Sequence, residues 1–506
     1  MNGPAPVPAL PQAGKKPLRR WTLAQVADAV GAEWKLPQRQ PLGAVAGKPV
    51  VGATLDSRAA RPGEVFVPLP GRATDGHRFL AEARAHGAIA CLCRADRVAE
   101  TDLESAAPLL VVEDPETALQ AWGAARRTAW KGTAIGVTGS NGKTTTKNLI
   151  AACLAAVAPT HATEGNRNNH LGVPLTLTGL SDDHVYAVIE MGMNHRGEIA
   201  RLAEWASPRL GVITHVAAAH LEALGSVEEV ARAKLELAEK LPADGVLIVP
   251  AGEPVLDGAL AELAIAARRV TFALAGEADL VATRISDLGA AGVSFQVDGF
   301  PPVRLRLPGR HNVKNALAAL AVARELGVDP QVAAAALGTV SPLSGRMETV
   351  VSGGVTLILD HYNANPDSMR AALDALSRWP AKRRFAALGE MKELGAYEAQ
   401  GHREVGEAAG RLDGLYLVGE ATAHVAEGAR AAGLKEERVR GFSSREEMVE
   451  ALASALAPGD VVLIKGSRSS RMEEVSDRLR ARLAAARERS AALPPPDAAA
   501  DAGEGS

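Results

Sequence analysis

"TAIGVTGSNGKTTTKNLIAACLAAV", residues 133–157, decides how the rest of the chain reads. An apolar run ends in a turn of small residues, and a helix-forming stretch opens at Lys143 or Thr144. That order makes an anion site, because glycines let backbone N–H groups turn inward and a helix N-terminus adds partial positive charge. Lys143 would then reach terminal phosphates, and the Thr144 hydroxyl would sit on Mg²⁺. The spacing departs from the common pattern G-x-x-x-x-G-K-[ST]. Where that pattern has its first glycine this chain has Val137, and the nearest glycines are Gly136 and Gly139. No N-K-x-D or T-K-x-D guanine-reading element follows, which favours ATP over GTP.

Outward from this loop, short apolar runs alternate with Ala- and Leu-rich helical stretches: "AIACLC", "PLLVVE", "YAVIEMG", "LGVITHV", "GVLIVP", "RFAALGE", "GLYLVG" and "DVVLIKG". Strand then helix, repeated, predicts α/β architecture with parallel sheets covered on both faces. The 506 residues exceed what one core supports. Three domains are expected, over 19–114, 115–340 and 341–482, the central one around the phosphate-loop sheet and the last Rossmann-like. Pro- and Ala-rich composition predicts disordered tails over 1–18 and 483–506.

Lys and Arg total 56 against 59 acidic residues, and no basic block is interleaved with aromatics, so nucleic acid is not expected as a partner. Three cysteines, Cys91, Cys93 and Cys153, offer neither a zinc pattern nor an even disulfide framework, which fits a reducing cytoplasm. The N-terminus lacks a signal-peptide pattern, and no run approaches the roughly 20 apolar residues of a membrane span. A cytoplasmic monomer without membrane insertion is expected.

Two further segments suggest metal chemistry. "HVYAVIEMGMN" ends an apolar strand on Glu190, where carboxylates of parallel sheets face the ligand crevice. "LGVITHVAAAHLEALGS" ends another near His215, with His220 in the loop beyond; a loop histidine is also an ordinary polar residue. In "SVEEVARAKLELAEKL", helical winding puts Lys234 among Val227, Val230, Ala231, Ala238 and Leu241. Glu228, Glu229, Arg232, Glu236, Glu239 and Lys240 fall on the other side. A lysine on the apolar face neutralises, pairs, is chemically altered, or snorkels to solvent.

This set of motifs resembles the Mur ligase family, ATP-dependent enzymes that build the peptide stem of the bacterial cell wall. Its phosphate loop reads T-G-[ST]-[NS]-G-K-[ST]-[ST], matching Thr138, Gly139, Ser140, Asn141, Gly142, Lys143, Thr144 and Thr145. Its Glu, His and Lys signature matches Glu190, His220 and Lys234, and the resemblance implies that Lys234 is carbamylated, that Thr144 and Glu190 hold one Mg²⁺, and that His220 and Lys234 hold a second. "LPGRHNVKNALAALAVA", with His311, Asn312 and Asn315, and "SGRME", with Arg346, resemble nucleotide-binding elements. "LDHYNANPDSM" and "VLIKGSRSSRME", with Asp360, Asn363, Asn365, Lys465, Ser467 and Arg468, resemble signatures of the last domain.

Within the family, "EGNRNNHLGVPLTL", with Asn166, Asn168 and Asn169, and the Y-N-A-N-P run at Tyr362 to Pro366 resemble the branch that adds D-alanyl-D-alanine. The D-N-P-R of the branch adding the third amino acid is absent. "LDSRAARPGEVFVPLPGRATDGHRFLAEARAHGA", carrying Asp56, Ser57 and Arg58, is similar to a uridine-nucleotide-binding domain. The implied reaction transfers the γ-phosphoryl of ATP to the terminal carboxylate of UDP-N-acetylmuramoyl-tripeptide, and the amine of D-alanyl-D-alanine then attacks the acyl phosphate. Asn168 or Asn169 would orient oxygens at the reacting centre, while Asn363 and Asn365 would help position the dipeptide. Two positions depart from the pattern: Glu253 follows "GVLIVP" where the family has an adenine-contacting asparagine, and Leu359 replaces the first Asp of D-D-x-Y-N-A-N-P.

Overall fold

The computed structural model describes residues 19–492 apart from 39, 72, 73 and 107. The expected tail 1–18, and 493–506 of the other, lie outside the described residues. Residues 483–492 correct the tail expectation: they continue the last helix, Met472–Ala492, because Leu479 and Leu483 pack against the C-terminal sheet.

Three α/β units follow one another. The first is a 5-stranded sheet, parallel except where Glu33–Lys35 pairs antiparallel with Leu109–Val112. The second is a 7-stranded parallel sheet running, from one edge, through Leu280–Val281, Arg268–Ala273, Val246–Pro250, Leu210–Ile213, Thr133–Thr138, Tyr186–Glu190 and Thr160–Ala162. The third is a 6-stranded sheet, parallel except for its edge hairpin of Glu348–Ser352 and Val355–Leu359.

Every apolar run singled out in the sequence contains a strand, as expected for strands buried on both faces. Alternate residues of Thr133–Thr138 feed opposite layers. Ile135 and Val137 pack with helices Lys143–Ala155 and Arg310–Glu325, while Ala134 faces helices Glu198–Ala206 and Val227–Glu239. A small antiparallel sheet, Thr283–Asp287, Val293–Gln296 and Val303–Leu305, extends the first of these layers and was not foreseen.

Helix Pro115–Ala129, expected to open the middle domain, gives Ala118, Leu119 and Trp122 to the core of the first unit and also packs on helix Gly172–Thr178. It therefore joins the two units.

Candidate active site

A cleft of 1040 Å³ lies between the second and third units. Its floor is the loop after Thr133–Thr138, a strand flanked by Tyr186–Glu190 on one side and Leu210–Ile213 on the other. The chain fills one side of the sheet before crossing to the other, so this is the topological switch point where open α/β sheets bind ligands. Val137 belongs to the strand and is fully buried. The turn accordingly begins at Gly139, which accounts for the shortened glycine spacing.

The loop is stitched to the segment after the neighbouring strand. Ser140 N donates to His215 O at 2.7 Å, and Thr214 Oγ1 donates to Asn141 O at 2.5 Å. A Cβ at Gly139 would stand 2.0 Å from Thr214 Oγ1. Gly142 has left-handed backbone, φ 80°, and a Cβ there would stand 2.3 Å from Asn315 Oδ1. Behind it Asn315 Nδ2 donates to Asn312 Oδ1 at 3.0 Å, and Asn312 Nδ2 to Pro308 O at 2.7 Å.

Lys143 Nζ donates to Gly139 O at 2.6 Å, inside the loop. Burial lowers its pKa, opposed by Glu190 and assisted by the charge of Arg346. Thr144 and Thr145 follow in the first helical turn and line the cleft, whereas Thr138 is sealed beneath it.

Glu190 ends its strand and is 1% exposed. Its Oε1 accepts from Asn168 Nδ2 at 2.7 Å, while Oε2 is buried without a partner among the described residues. Asn168 thus holds the Glu190 carboxylate from within the protein. Asn169 instead accepts from the N–H groups of Leu171 and Gly172 at the start of the next helix. Sequence reasoning passed over Lys147: its Nζ donates to Thr163 O at 2.6 Å, and Thr163 Oγ1 accepts from Glu190 N at 3.0 Å. A lysine inside the quoted loop helix, one turn past Lys143, was the signal available.

Lys234 is 2% exposed on helix Val227–Glu239. Burial drives its pKa far down, and the charge of Lys143 adds to the effect. His220 has left-handed backbone, φ 57°, and its Nδ1 lies 2.7 Å from Glu393 Oε2 of the third unit. Burial lowers its pKa despite Glu393, with Lys234 and Lys143 adding to the fall. Lys143, His220 and Lys234 therefore share one electrostatic neighbourhood. Among the described residues no three His, Cys, Asp or Glu side chains converge as a metal cluster.

Across the cleft, the Arg346 guanidinium lies 3.9 Å from the centre of the Tyr362 ring. Asp360 Oδ2 pairs with Lys465 Nζ at 2.7 Å, and Asn363 and Asn365 complete this wall. Asp56, Ser57 and Arg58 lie apart from the cleft, in the turn after strand Gly52–Thr54 of the first unit. There Asp56 pairs with Arg58, and Ser57 donates to Glu82.

Glu253, a departure in the sequence, is tied down. His215 Nδ1 lies 2.6 Å and Lys314 Nζ 3.2 Å from its Oε1, and Val216 N donates to Oε2 at 3.2 Å. Burial alone would raise its pKa, but His215 and Lys314 hold it below the usual carboxylate value.

Family models described as Mur ligase family, catalytic domain; Mur ligase middle domain; and Mur ligase, glutamate ligase domain match residues 49–127, 137–323 and 345–468. The UDP-N-acetylmuramoyl-tripeptide--D-alanyl-D-alanine ligase of Bacillus subtilis is 35% identical over 431 residues, 84% of this chain and 92% of its own length. The Synechocystis protein of the same name is 40% identical over 418 residues, 82% of this chain and 88% of its own. MurF from Acinetobacter baumannii superposes with a TM-score of 0.76 at 31% identity, covering 92% of this chain and 100% of that one. MurF ligase from Thermotoga maritima, solved in complex with ADP, gives 0.73 at 28% identity, covering 85% and 97%. The chain belongs to the Mur ligase family.

Proposed function

We propose that this protein is an ATP-dependent ligase that joins D-alanyl-D-alanine to UDP-N-acetylmuramoyl-tripeptide in peptidoglycan synthesis. The observation that carries the reading is one cleft with a phosphate loop on its floor, a buried Glu190 oxygen left unshared beside it, and a wall supplied by a second α/β unit. Relatives 35% and 40% identical over most of the chain bear that ligase name.

A carboxylate oxygen is a poor leaving group, so the tripeptide's terminal carboxylate is first phosphorylated. It attacks the γ-phosphorus of ATP, ADP leaves, and an acyl phosphate forms. The amine of D-alanyl-D-alanine then adds to the carbonyl carbon, a proton leaves the nitrogen, and the tetrahedral intermediate expels phosphate. Lys143 and the loop's N–H groups stabilise charge on the transferred phosphoryl, the usual centre of phosphoryl-transfer catalysis. Arg346 lines the same cleft and adds positive charge.

The unshared Glu190 oxygen and the Thr144 hydroxyl fit a hard divalent cation, and His220 with a carbamylated Lys234 would hold a second. Such an ion, Mg²⁺ in this reading, supplies charge neutralisation on phosphate and carboxylate oxygens. Lys234 suits carbamylation because a buried amine held neutral is the form that adds to CO₂. Asp56, Ser57 and Arg58 bind the uridine nucleotide at the first unit. One chain supplies both walls of the cleft, which supports action as a monomer. Three buried thiols suit the reducing cytoplasm, and among the described residues no helix is long and apolar enough to cross a membrane.

Phosphate release in the presence of ATP, UDP-N-acetylmuramoyl-tripeptide and D-alanyl-D-alanine tests the reading. Turnover should require both peptide substrates; release driven by a single amino acid in place of the dipeptide would overturn it.

A further inference from the structure

The side chain of Asn365 is committed to two tasks within the protein. It is the N-cap of helix Pro366–Ser377, where Oδ1 accepts from Ser368 N at 2.9 Å and Ser368 Oγ accepts from Asn365 N at 3.0 Å. The same carboxamide meets Asn141 of the phosphate loop head to head. Asn141 Nδ2 donates to Asn365 Oδ1 at 3.1 Å, and Asn365 Nδ2 donates to Asn141 Oδ1 at 2.9 Å.

The two residues are 224 positions apart and belong to different units. Asn365 is 8% exposed, and its Oδ1 already accepts two hydrogen bonds, so its carbonyl has no capacity left for a ligand. On the other side Asn141 is anchored through its carbonyl to Thr214 and is followed at once by Gly142 and Lys143, the anion-binding corner. The third unit touches the second again at His220, which pairs with Glu393, while Glu222 N donates to Glu393 O at 3.2 Å. That second contact lies on a different loop, whereas the amide pair bears directly on the phosphate loop.

A reciprocal amide pair demands orientation as well as proximity, because each group must offer a donor and an acceptor at once. We infer that Asn141 and Asn365 are positioning residues, a latch through which docking of the third unit sets the phosphate loop in its reactive geometry. Asn365 then acts on the loop rather than on the dipeptide. The inference rests on the ligase reading for its assay but makes a separate claim.

The test is a double-variant cycle in the full-length enzyme. Asn365→Ser keeps a good N-cap residue but is too short to span to Asn141. Asn141→Ala leaves the cap untouched. Each single variant should lower kcat about tenfold or more while KM for ATP moves less than about threefold, since slight misplacement at a reacting centre costs rate before binding. The double variant should be no worse than the poorer single, the mark of two residues acting as one unit. X-ray scattering should also show less compaction with ATP and tripeptide in either variant than in the wild type.

Multiplicative losses in the double variant, wild-type kcat in the singles, or raised KM for ATP at constant kcat would each overturn the latch. If Asn365→Ser fails to fold by denaturant titration, Asn141→Ala decides alone by the same kcat and KM criteria. Failure of the wild type to need both peptide substrates would count against the ligase reading; the latch is still judged by non-additivity in whatever ATP-dependent turnover the wild type has.

Discussion

Lys234 is a base buried on the apolar face of its helix. Removing an ammonium from water into such a site costs several kcal/mol unless it is paired, and the group escapes by losing its proton. In the proposed site a carbamate on Lys234 would place a negative charge beside Lys143 and His220, where burial disfavours the ammonium. Lys234→Ala should therefore lower kcat by about a hundredfold or more, the upper scale for losing a group that supports a metal site. Short carboxylic acids added to the assay should restore part of the activity, because they replace the missing carboxylate. Full activity of the unrescued variant would remove Lys234 from the site. Val137 and Gly139 are instructive at the same scale. The valine is an interior strand residue and the glycine sits where Thr214 leaves no room for a side chain. The short spacing is a change in where the strand ends, which a pattern of glycines alone conveys poorly.

Helix Val227–Glu239 carries two buried ionisable groups, and only one was legible. Lys234 stood out because it interrupted an apolar face. Helical winding places Glu236 on the solvent side, yet it is 6% exposed and accepts from Gly197 N at 2.7 Å and Ala200 N at 3.1 Å. It caps helix Glu198–Ala206, whose own N-cap is Gly197 with no side chain to offer. The partner lies 39 residues away, beyond the reach of any periodicity. Glu236→Ala should lower the unfolding free energy by about 1–3 kcal/mol in urea titrations, the cost of stranding buried N–H groups. The neighbouring exposed Glu239→Ala should change little; equal effects would dismiss the cap. The same distinction explains the fold. Many parallel strands announced themselves as continuous apolar runs, though Thr160–Ala162 and Arg268–Ala273 did not. The strands between 283 and 305 did not, since "TRISD" exposes or half-exposes every residue and leaves no run to find. The phosphate loop and Glu190 were readable from strand endings. Glu393 and the Asn141–Asn365 pairing depend on how units meet, and Lys314 reaches Glu253 from 61 residues away within one unit; no local pattern encodes either.

At the scale of the molecule, the first and second units are joined at a histidine cluster. His161 and His184 stack with ring centres 5.2 Å apart, close to Arg20 and Arg126. His184 Nδ1 accepts from Ser181 N at 3.0 Å, a bond only the unprotonated nitrogen makes. Burial, then His161 and the two arginines, push the pKa of His184 down to about 4. The unfolded chain, with histidine near its ordinary 6.5, binds protons more readily over the interval between these values. This contribution to stability is complete above about pH 6.5 and is lost as pH falls through about 4. Melting temperature measured from pH 7 to 4 should fall less steeply in His184→Asn, which keeps an acceptor for Ser181 but cannot titrate. Parallel slopes would show that the cluster does not govern acid sensitivity.

The cysteines have a practical consequence at this scale. Cys91, Cys93 and Cys153 are all fully buried, and burial raises the pKa of Cys93 and pushes that of Cys153 up to about 12. Thiol reagents act on exposed thiolates, so the folded chain presents them with almost nothing to modify. A single cysteine introduced on the outer face of the third unit would thus be the chain's one reactive handle. A fluorophore placed there could report the opening and shutting of the cleft in an otherwise unaltered enzyme, with every native thiol left in place.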